Sequence, residues 1–211
     1  GRSVLGEQQR AAVAEIAALG GSATYLPCDV ADREDVRRAV AAIRADGRRL
    51  SGVLHSAGVI EDGFVMRKSA DEFARVIAPK TLGTWNLDEE TRDEPLEMFV
   101  LFSSVAGALG NVGQCDYAYG NAFEDAFAHA RDALRLRDER NGKSLSVNWP
   151  FWRNGGMRLG EAEIEAVRRN FGIVPLDDAP GLDALEFALA QSRPQLLVMP
   201  AWLIAEPEKR A

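Results

Sequence analysis

Short uncharged runs punctuate the chain at Ala23-Thr24-Tyr25-Leu26, Gly52-Val53-Leu54-His55, Met98-Phe99-Val100-Leu101-Phe102, Leu145-Ser146-Val147-Asn148-Trp149 and Leu196-Leu197-Val198-Met199. Apolar and β-branched residues dominate them, the pattern of strands covered on both faces. The stretches at 8–19, 32–45, 69–87, 117–136 and 180–190 carry their apolar residues at helical spacing instead. Their ends are marked accordingly. Ser69-x-x-Glu72 has the form of a capping box, Asp32 can cap the helix after Val30, and Gly20, Gly47 and Gly142 stand where helix C-termini turn out.

Strands alternating with helices long enough to cross over predict a parallel sheet with helices on both faces, a doubly wound α/β fold. Ligands bind such sheets beyond the carboxyl ends of the strands, so chemistry is expected just after 53–56, 99–103 and 145–149. The segment 153–172 breaks the rhythm. It opens on Arg153-Asn154-Gly155-Gly156 and continues as an amphipathic stretch through Ile164 and Val167, which reads either as a mobile lid or as a plain surface helix. A nucleotide-binding fold of this type ordinarily begins with a strand, a Gly-rich turn and a helix. No G-x-G-x-x-G occurs here and Gly1-Arg2-Ser3 runs directly into a helix, so the expectation is a domain over 1–201 without that first unit, followed by a frayed tail at 202–211.

Composition narrows the partners. Of 211 residues 46% are hydrophobic and 27% charged, the balance of an ordinary globular protein. Lys plus Arg number 25 against 32 Asp plus Glu, a formal charge of −7, which disfavours a sequence-independent grip on nucleic acid or on an anionic membrane. Cys28 and Cys115 form no C-x-x-C pair and have only His55 and His129 as companions, so no zinc site or other metal centre is expected. No apolar run approaches the roughly 20 residues of a membrane span, and no secretory signal opens the chain. Both thiols therefore read as reduced, in a cytoplasmic protein.

Tyr117 and Asn121 lie four apart in the longest predicted helix and share one of its faces, while Ser104 ends the apolar strand upstream. A phenol that gives a proton to a carbonyl oxygen needs a neighbouring cation to lower its ordinary pKa of about 10, and a second hydroxyl to hold that oxygen. Lys80, immediately after Pro79, can supply the cation. Each residue alone has a plainer reading as a cap, a half-buried aromatic or a solvated charge; together, at the strand ends of this fold, they form a candidate catalytic set.

The runs Phe102-Ser103-Ser104-Val105-Ala106-Gly107 and Gly113-Gln114-Cys115-Asp116-Tyr117-Ala118-Tyr119-Gly120-Asn121-Ala122-Phe123 resemble the catalytic stretch of polyketide synthase ketoreductase domains, relatives of the short-chain dehydrogenase/reductases. Most of that superfamily has Tyr-x-x-x-Lys on the helix; here Tyr117-x-x-x-Asn121 is paired with the upstream Lys80, which is the ketoreductase arrangement. His55-Ser56-Ala57-Gly58-Val59, Ala78-Pro79-Lys80, Asn148-Trp149-Pro150 with Gly155-Gly156-Met157, and Val174-Pro175-Leu176-Asp177 extend the likeness over nearly the whole chain. The run 110–119, with Asn148-Trp149-Pro150-Phe151-Trp152, resembles bacterial synthases whose acyltransferase is a separate protein.

The resemblance implies a Rossmann-like, NADPH-dependent reductase of β-keto groups on acyl chains carried by the phosphopantetheine of an acyl carrier protein, working among neighbouring synthase domains. It implies Tyr117 as proton donor, Ser104 as holder of the ketone oxygen, and Lys80 with Asn121 as organisers of the proton relay. Arg2 and Ser3 resemble residues that bind the 2′-phosphate of NADPH, Asp29 and Val30 an adenine-contacting turn, and Ser56, Ala57 and Gly58 the turn lining the cofactor. Asp62 matches the final Asp of the motif of B-type ketoreductases, and Leu109 stands where the alternative class has Trp. With Gln114 and Pro150 these residues are assigned to substrate and stereocontrol, giving an R alcohol without epimerisation, since Tyr119 rather than Pro follows Tyr117 by two. A non-catalytic module of a synthase and a free-standing reductase of small carbonyl compounds remain the alternatives.

Overall fold

The fold is built on β2 (Met98–Ser104), which pairs with β1 (Gly52–His55) on one side and β3 (Lys143–Trp149) on the other; β4 (Gln195–Leu197) adds beyond β3. All three ladders are parallel, with Val53 opposite Phe99, Phe99 opposite Ser144, and Val147 opposite Leu196. The computed structural model describes residues 1–155, 164–165 and 174–199. The helices are α1 (Glu7–Ala18), α2 (Arg33–Ala45), α3 (Ala70–Glu90), α4 (Val105–Leu109), α5 (Cys115–Arg135) and α6 (Asp178–Ala190).

Continuous burial of β2 explains its unalternated sequence, because Phe99, Val100 and Leu101 are all fully enclosed. Phe99 and Leu101 face a core with Val53, Leu96 and Ala128, lined by Leu87 of α3 and Phe127 of α5. Val100 faces the opposite core with Leu145, Val147, Trp149 and Ala188, lined by Ala184 and Leu185 of α6. Helices thus cover both faces of the parallel sheet, as the alternating pattern requires. On the α5 side, buried Arg131 lies 4.4 Å over the Phe99 ring. It donates to Asp88 (2.7 Å), Ser144 Oγ (3.0 Å) and the carbonyls of Asn141 and Gly142, tying α3, α5 and the start of β3 together.

The caps form where the sequence puts them. Asp32 accepts from the amides of Glu34 and Asp35, and Ser69 and Glu72 exchange the two bonds of a capping box. Gly20 and Gly47 take positive φ just past α1 and α2. Gly142 departs from its assignment: α5 ends at Arg135, and Gly142 (φ +78°) lies in the turn entering β3, where an added Cβ would fall 2.9 Å from Leu96 Cβ. The run 23–26 is also not a strand. Its neighbour is the chain start, where Tyr25 Oη donates to the Ser3 carbonyl and the Cys28 amide to the Gly1 carbonyl. β1, at the sheet edge, pairs only with β2 among the described residues, and 23–26 does not lie on its free edge as a strand.

Most of the expected lid falls on 156–163 and 166–173, outside the described residues, as does the tail at 202–211. Its near end is anchored. Trp152 bridges to Leu176, Arg153 pairs with Asp177 at 2.5 Å, and Trp152 packs edge-on against Trp149 with centroids 5.0 Å apart.

Candidate functional site

The strand ends carry a polar network. Ser104 closes β2 and caps α4, its Oγ accepting from the Ala106 amide at 3.2 Å. Next to it Asn148 of β3 directs Nδ2 at the Ser104 carbonyl (2.9 Å), Ser103 Oγ (3.0 Å) and Asp125 Oδ2 (2.8 Å). Ser103 Oγ in turn donates to the Asn121 carbonyl (3.2 Å), which fixes α5 against the end of β2. The approach is close because position 107 is glycine: a Cβ there would sit 2.8 Å from Asn121 Cβ.

Tyr117 and Asn121 occupy successive turns of α5. Asn121 Nδ2 donates to the Tyr117 carbonyl at 2.7 Å, while its fully buried Oδ1 has no hydrogen-bond partner among the described residues. Tyr117 is half-buried, at the open end of the helix. Its amide donates to Asp116 Oδ1 (2.9 Å), whose other oxygen is held by Lys68 at 2.5 Å.

Lys80 descends from α3 between two glycines. Its Cβ would lie 3.3 Å from a Cβ added at Gly120 of α5, and its Cε 3.6 Å from one added at Gly58. The ammonium is buried and donates to the Phe102 carbonyl (3.0 Å) and to Glu124 Oε2 (2.8 Å). Burial pushes the Glu124 carboxyl up, to about 8, against the opposing pull of Lys80. Beside them His55 Nε2 lies 3.0 Å from the Pro79 carbonyl; a carbonyl can only accept, so this nitrogen carries the proton. Burial and the Lys80 charge lower the His55 pKa to about 4.

The remaining expected residues fall into separate groups. Gly58 touches Lys80, and Val30 packs on α3 at Gly83, its carbonyl accepting from Asn86 Nδ2 (2.9 Å), so these two join the Lys80 region. Asp29 closes a turn by accepting from the Ala31 amide (3.0 Å). Ser56 is exposed and Ala57 half-buried, in the turn leaving β1. Arg2 and Ser3 stay with the strip at 25–28, and both are exposed. Asp62 and Gln114 meet directly, Gln114 Nε2 donating to Asp62 Oδ1 at 2.9 Å. Leu109 is exposed at the end of α4 and Pro150 is buried just beyond β3.

The KR domain family profile matches residues 1–154 of this chain. The chain belongs to the KR domain family. It is 40% identical over 199 residues to polyketide synthase PksN of Bacillus subtilis (strain 168), covering 94% of this chain and 4% of PksN. Among solved structures, a ketoreductase domain from the bacillaene assembly line superposes with a TM-score of 0.90 at 38% identity, over 94% of this chain and 48% of that one. A short chain dehydrogenase from Burkholderia cenocepacia J2315, in complex with NADP, shares the fold at a TM-score of 0.77 and 20% identity, over 93% of this chain and 83% of that one. The chain therefore spans a small fraction of the synthase it resembles and about half of the similar ketoreductase domain.

Within the KR domain two groups escape sequence reasoning. Glu124 is one, although it lies seven residues after Tyr117 and three after Asn121 on the same helical stripe, a spacing that was available to find it. The other is the Lys68–Asp116 pair, buried at the base of Tyr117 and formed between residues far apart in sequence.

Proposed function

We propose that this KR domain reduces the β-keto group of an acyl chain tethered to an acyl carrier protein, with NADPH as hydride source, inside a cytoplasmic polyketide synthase. The observation that carries the reading is the meeting of Lys80, Asn121 and the Ser104 strand end around the first turns of α5. Two features support a phosphorylated nicotinamide dinucleotide as the cofactor of this reading. Arg2 offers an exposed guanidinium, a bidentate match for a phosphate, and the small-residue turn at 56–58 brings Gly58 against Lys80, where an added Cβ would fall 3.6 Å from Lys80 Cε. NADPH when bound would supply hydride to the carbonyl carbon.

The chain's own residues handle the oxygen and the proton. Ser104 Oγ already accepts a hydrogen bond, so its own hydrogen is free to donate to the ketone oxygen. Tyr117 Oη gives its proton to that oxygen as the C–O bond gains charge, and the Lys80 ammonium favours the resulting phenolate. Asn121, anchored through Nδ2, keeps Oδ1 as an acceptor for the relay that returns a proton to Tyr117.

Asp62 and Gln114 stand at the mouth in this reading and bias the side from which the acyl-pantetheine arm enters, giving the B-type R alcohol with the α-substituent unchanged. Leu109, exposed at the end of α4, is assigned to the same substrate role, whereas Pro150 is buried and would act only through the residues packed on it. The full-length protein, supplied with a β-ketoacyl thioester and NADPH, is expected to consume NADPH and form β-hydroxyacyl product in equal amounts. Folded protein that binds NADPH yet reduces no β-ketoacyl thioester would contradict the reading.

A further inference from the structure

Lys80 does not act alone. Its ammonium is held by two acceptors from different elements, the Phe102 carbonyl of β2 and the Glu124 carboxylate of α5, and both partners of the ion pair are almost completely enclosed. Glu124 has little else to do. Its second oxygen is buried with no hydrogen bond among the described residues, 3.6 Å from His55 Nε2, whose proton is already directed to the Pro79 carbonyl. A buried carboxylate placed beside the one buried lysine of the set, on the stripe that carries Tyr117 and Asn121, is costly unless it is paired.

We propose that Glu124 is a positioning residue that fixes the Lys80 ammonium and offsets part of its charge, so that Tyr117 keeps its proton to higher pH than Lys80 alone would allow. The inference rests on the reading of Tyr117 as proton donor. With Glu124 protonated the pair carries a full positive charge; once Glu124 ionises the pair is neutral. The cation's pull on the phenol is then strong at low pH and relaxed at high pH, where the donor would otherwise be lost.

Beside Tyr117 stand Asp116 and Lys68, which pair with each other, and the charged and titratable groups around the Lys80–Glu124 pair among the described residues are few. From β1 comes His55, held neutral; from α3 comes Lys80; on α5 itself Asp125 is the neighbouring carboxylate, and it is occupied by Ser146 Oγ (2.6 Å) and Asn148 Nδ2. β2 contributes only the Phe102 carbonyl to the ammonium among the described residues. Burial raises the carboxyl pKa, which places the change in charge in the neutral to alkaline range rather than in acid.

The test is a tyrosinate absorbance titration of the full-length protein, with the Tyr117→Phe variant subtracted to isolate this phenol. Glu124→Gln, which keeps the shape and a hydrogen-bonding oxygen, is expected to lower the Tyr117 midpoint by about half a unit to one unit. In a Lys80→Met background the same substitution is expected to leave the midpoint in place, because an unpaired buried Glu124 is already neutral. An unmoved or raised midpoint after Glu124→Gln would overturn the proposal, as would an equal shift without Lys80. In the unsubstituted protein, carbon-13 signals give the order of events: Glu124 must ionise before Tyr117, and the reverse order also overturns it. These readouts need no ketone, cofactor or carrier protein, so they stand apart from failure of the reductase reading. If that reading holds, the alkaline limb of kcat moves down with the midpoint, whereas a merely structural role would lower kcat without moving the limb.

Discussion

Gln114 donates from Nε2 to Asp62 Oδ1 at 2.9 Å, joining the residue before α5 to the loop that follows β1. The Gly63 amide reinforces the junction by donating to the Gly113 carbonyl at 2.8 Å, and Arg75 grips Glu61 through two nitrogens at 2.9 and 3.1 Å. Position 62 is thereby tied to the helix that carries Tyr117. Under the proposed function, a side chain so held biases which of two routes an acyl arm takes.

Replacing Asp62 by Ala is expected to erode selectivity for the R alcohol by about tenfold, the equivalent of about 1.4 kcal/mol of differential binding. Gln114→Ala should erode it in the same direction, through loss of the same bond. Chiral chromatography of the hydroxyacyl product reads the ratio. A predominantly S product from the unsubstituted protein, or an unchanged ratio in both variants, would count against the assignment.

Cofactor preference is expected to depend on Arg2. Arg2→Ala should narrow the gap between NADPH and NADH by about 1.5–3 kcal/mol, the range for a hydrogen bond to a charged group, chiefly by raising KM for NADPH. Parallel kinetics with the two cofactors check it, and an unchanged ratio removes Arg2 from the phosphate site.

Sequence pattern carried the four strands of the sheet and the start of α3 because these rest on local signals. Continuous apolar runs mark strands buried on two faces, and the capping box at Ser69 announces α3 whatever its surroundings. The run 23–26 has the same local pattern and failed, since a strand also needs a ladder partner, which no window of residues can display. Gly142 failed for a related reason: a glycine near the end of a helical period can serve a cap or a close contact, and here Leu96, distant in sequence, decides. Glu124 was legible in spacing but not in role, because its importance comes from Lys80 on another helix.

Arg131 is a vulnerable point of the tertiary frame. Arg131→Met leaves Asp88 with Arg140 as its one ion-pair partner among the described residues and strips the carbonyls of Asn141 and Gly142 of a donor. Breaking a buried pair from one side costs about 3–5 kcal/mol, so a urea midpoint should fall by the corresponding amount. A loss below about 1 kcal/mol, the scale of an exposed pair, would show that the buried network contributes little.

His55 links stability to acid. Its pKa in the folded state, about 4, lies below the ordinary 6.5, so the unfolded chain binds more protons between those values. Stability from keeping this imidazole neutral is complete above pH 6.5 and is lost as pH falls toward 4. The span corresponds to about 3 kcal/mol. His55→Gln can still donate to the Pro79 carbonyl and does not titrate, so its stability should fall less steeply over this window. Denaturant titrations at several pH values compare the slopes, and equal slopes would exclude His55 as the acid-sensitive group.

The central claim is that Tyr117 gives the proton to the reduced carbonyl. Tyr117→Phe in the full-length protein removes one hydroxyl from a half-buried ring and leaves the buried contacts of Lys80 and Asn121 intact. Steady-state reduction of a β-ketoacyl thioester, measured beside an NADPH binding titration, tests the claim most directly. The expected result is a loss of at least about 10²–10⁴ in kcat, the worth of general acid catalysis, with NADPH affinity nearly unchanged. Near-normal turnover by the variant would contradict it.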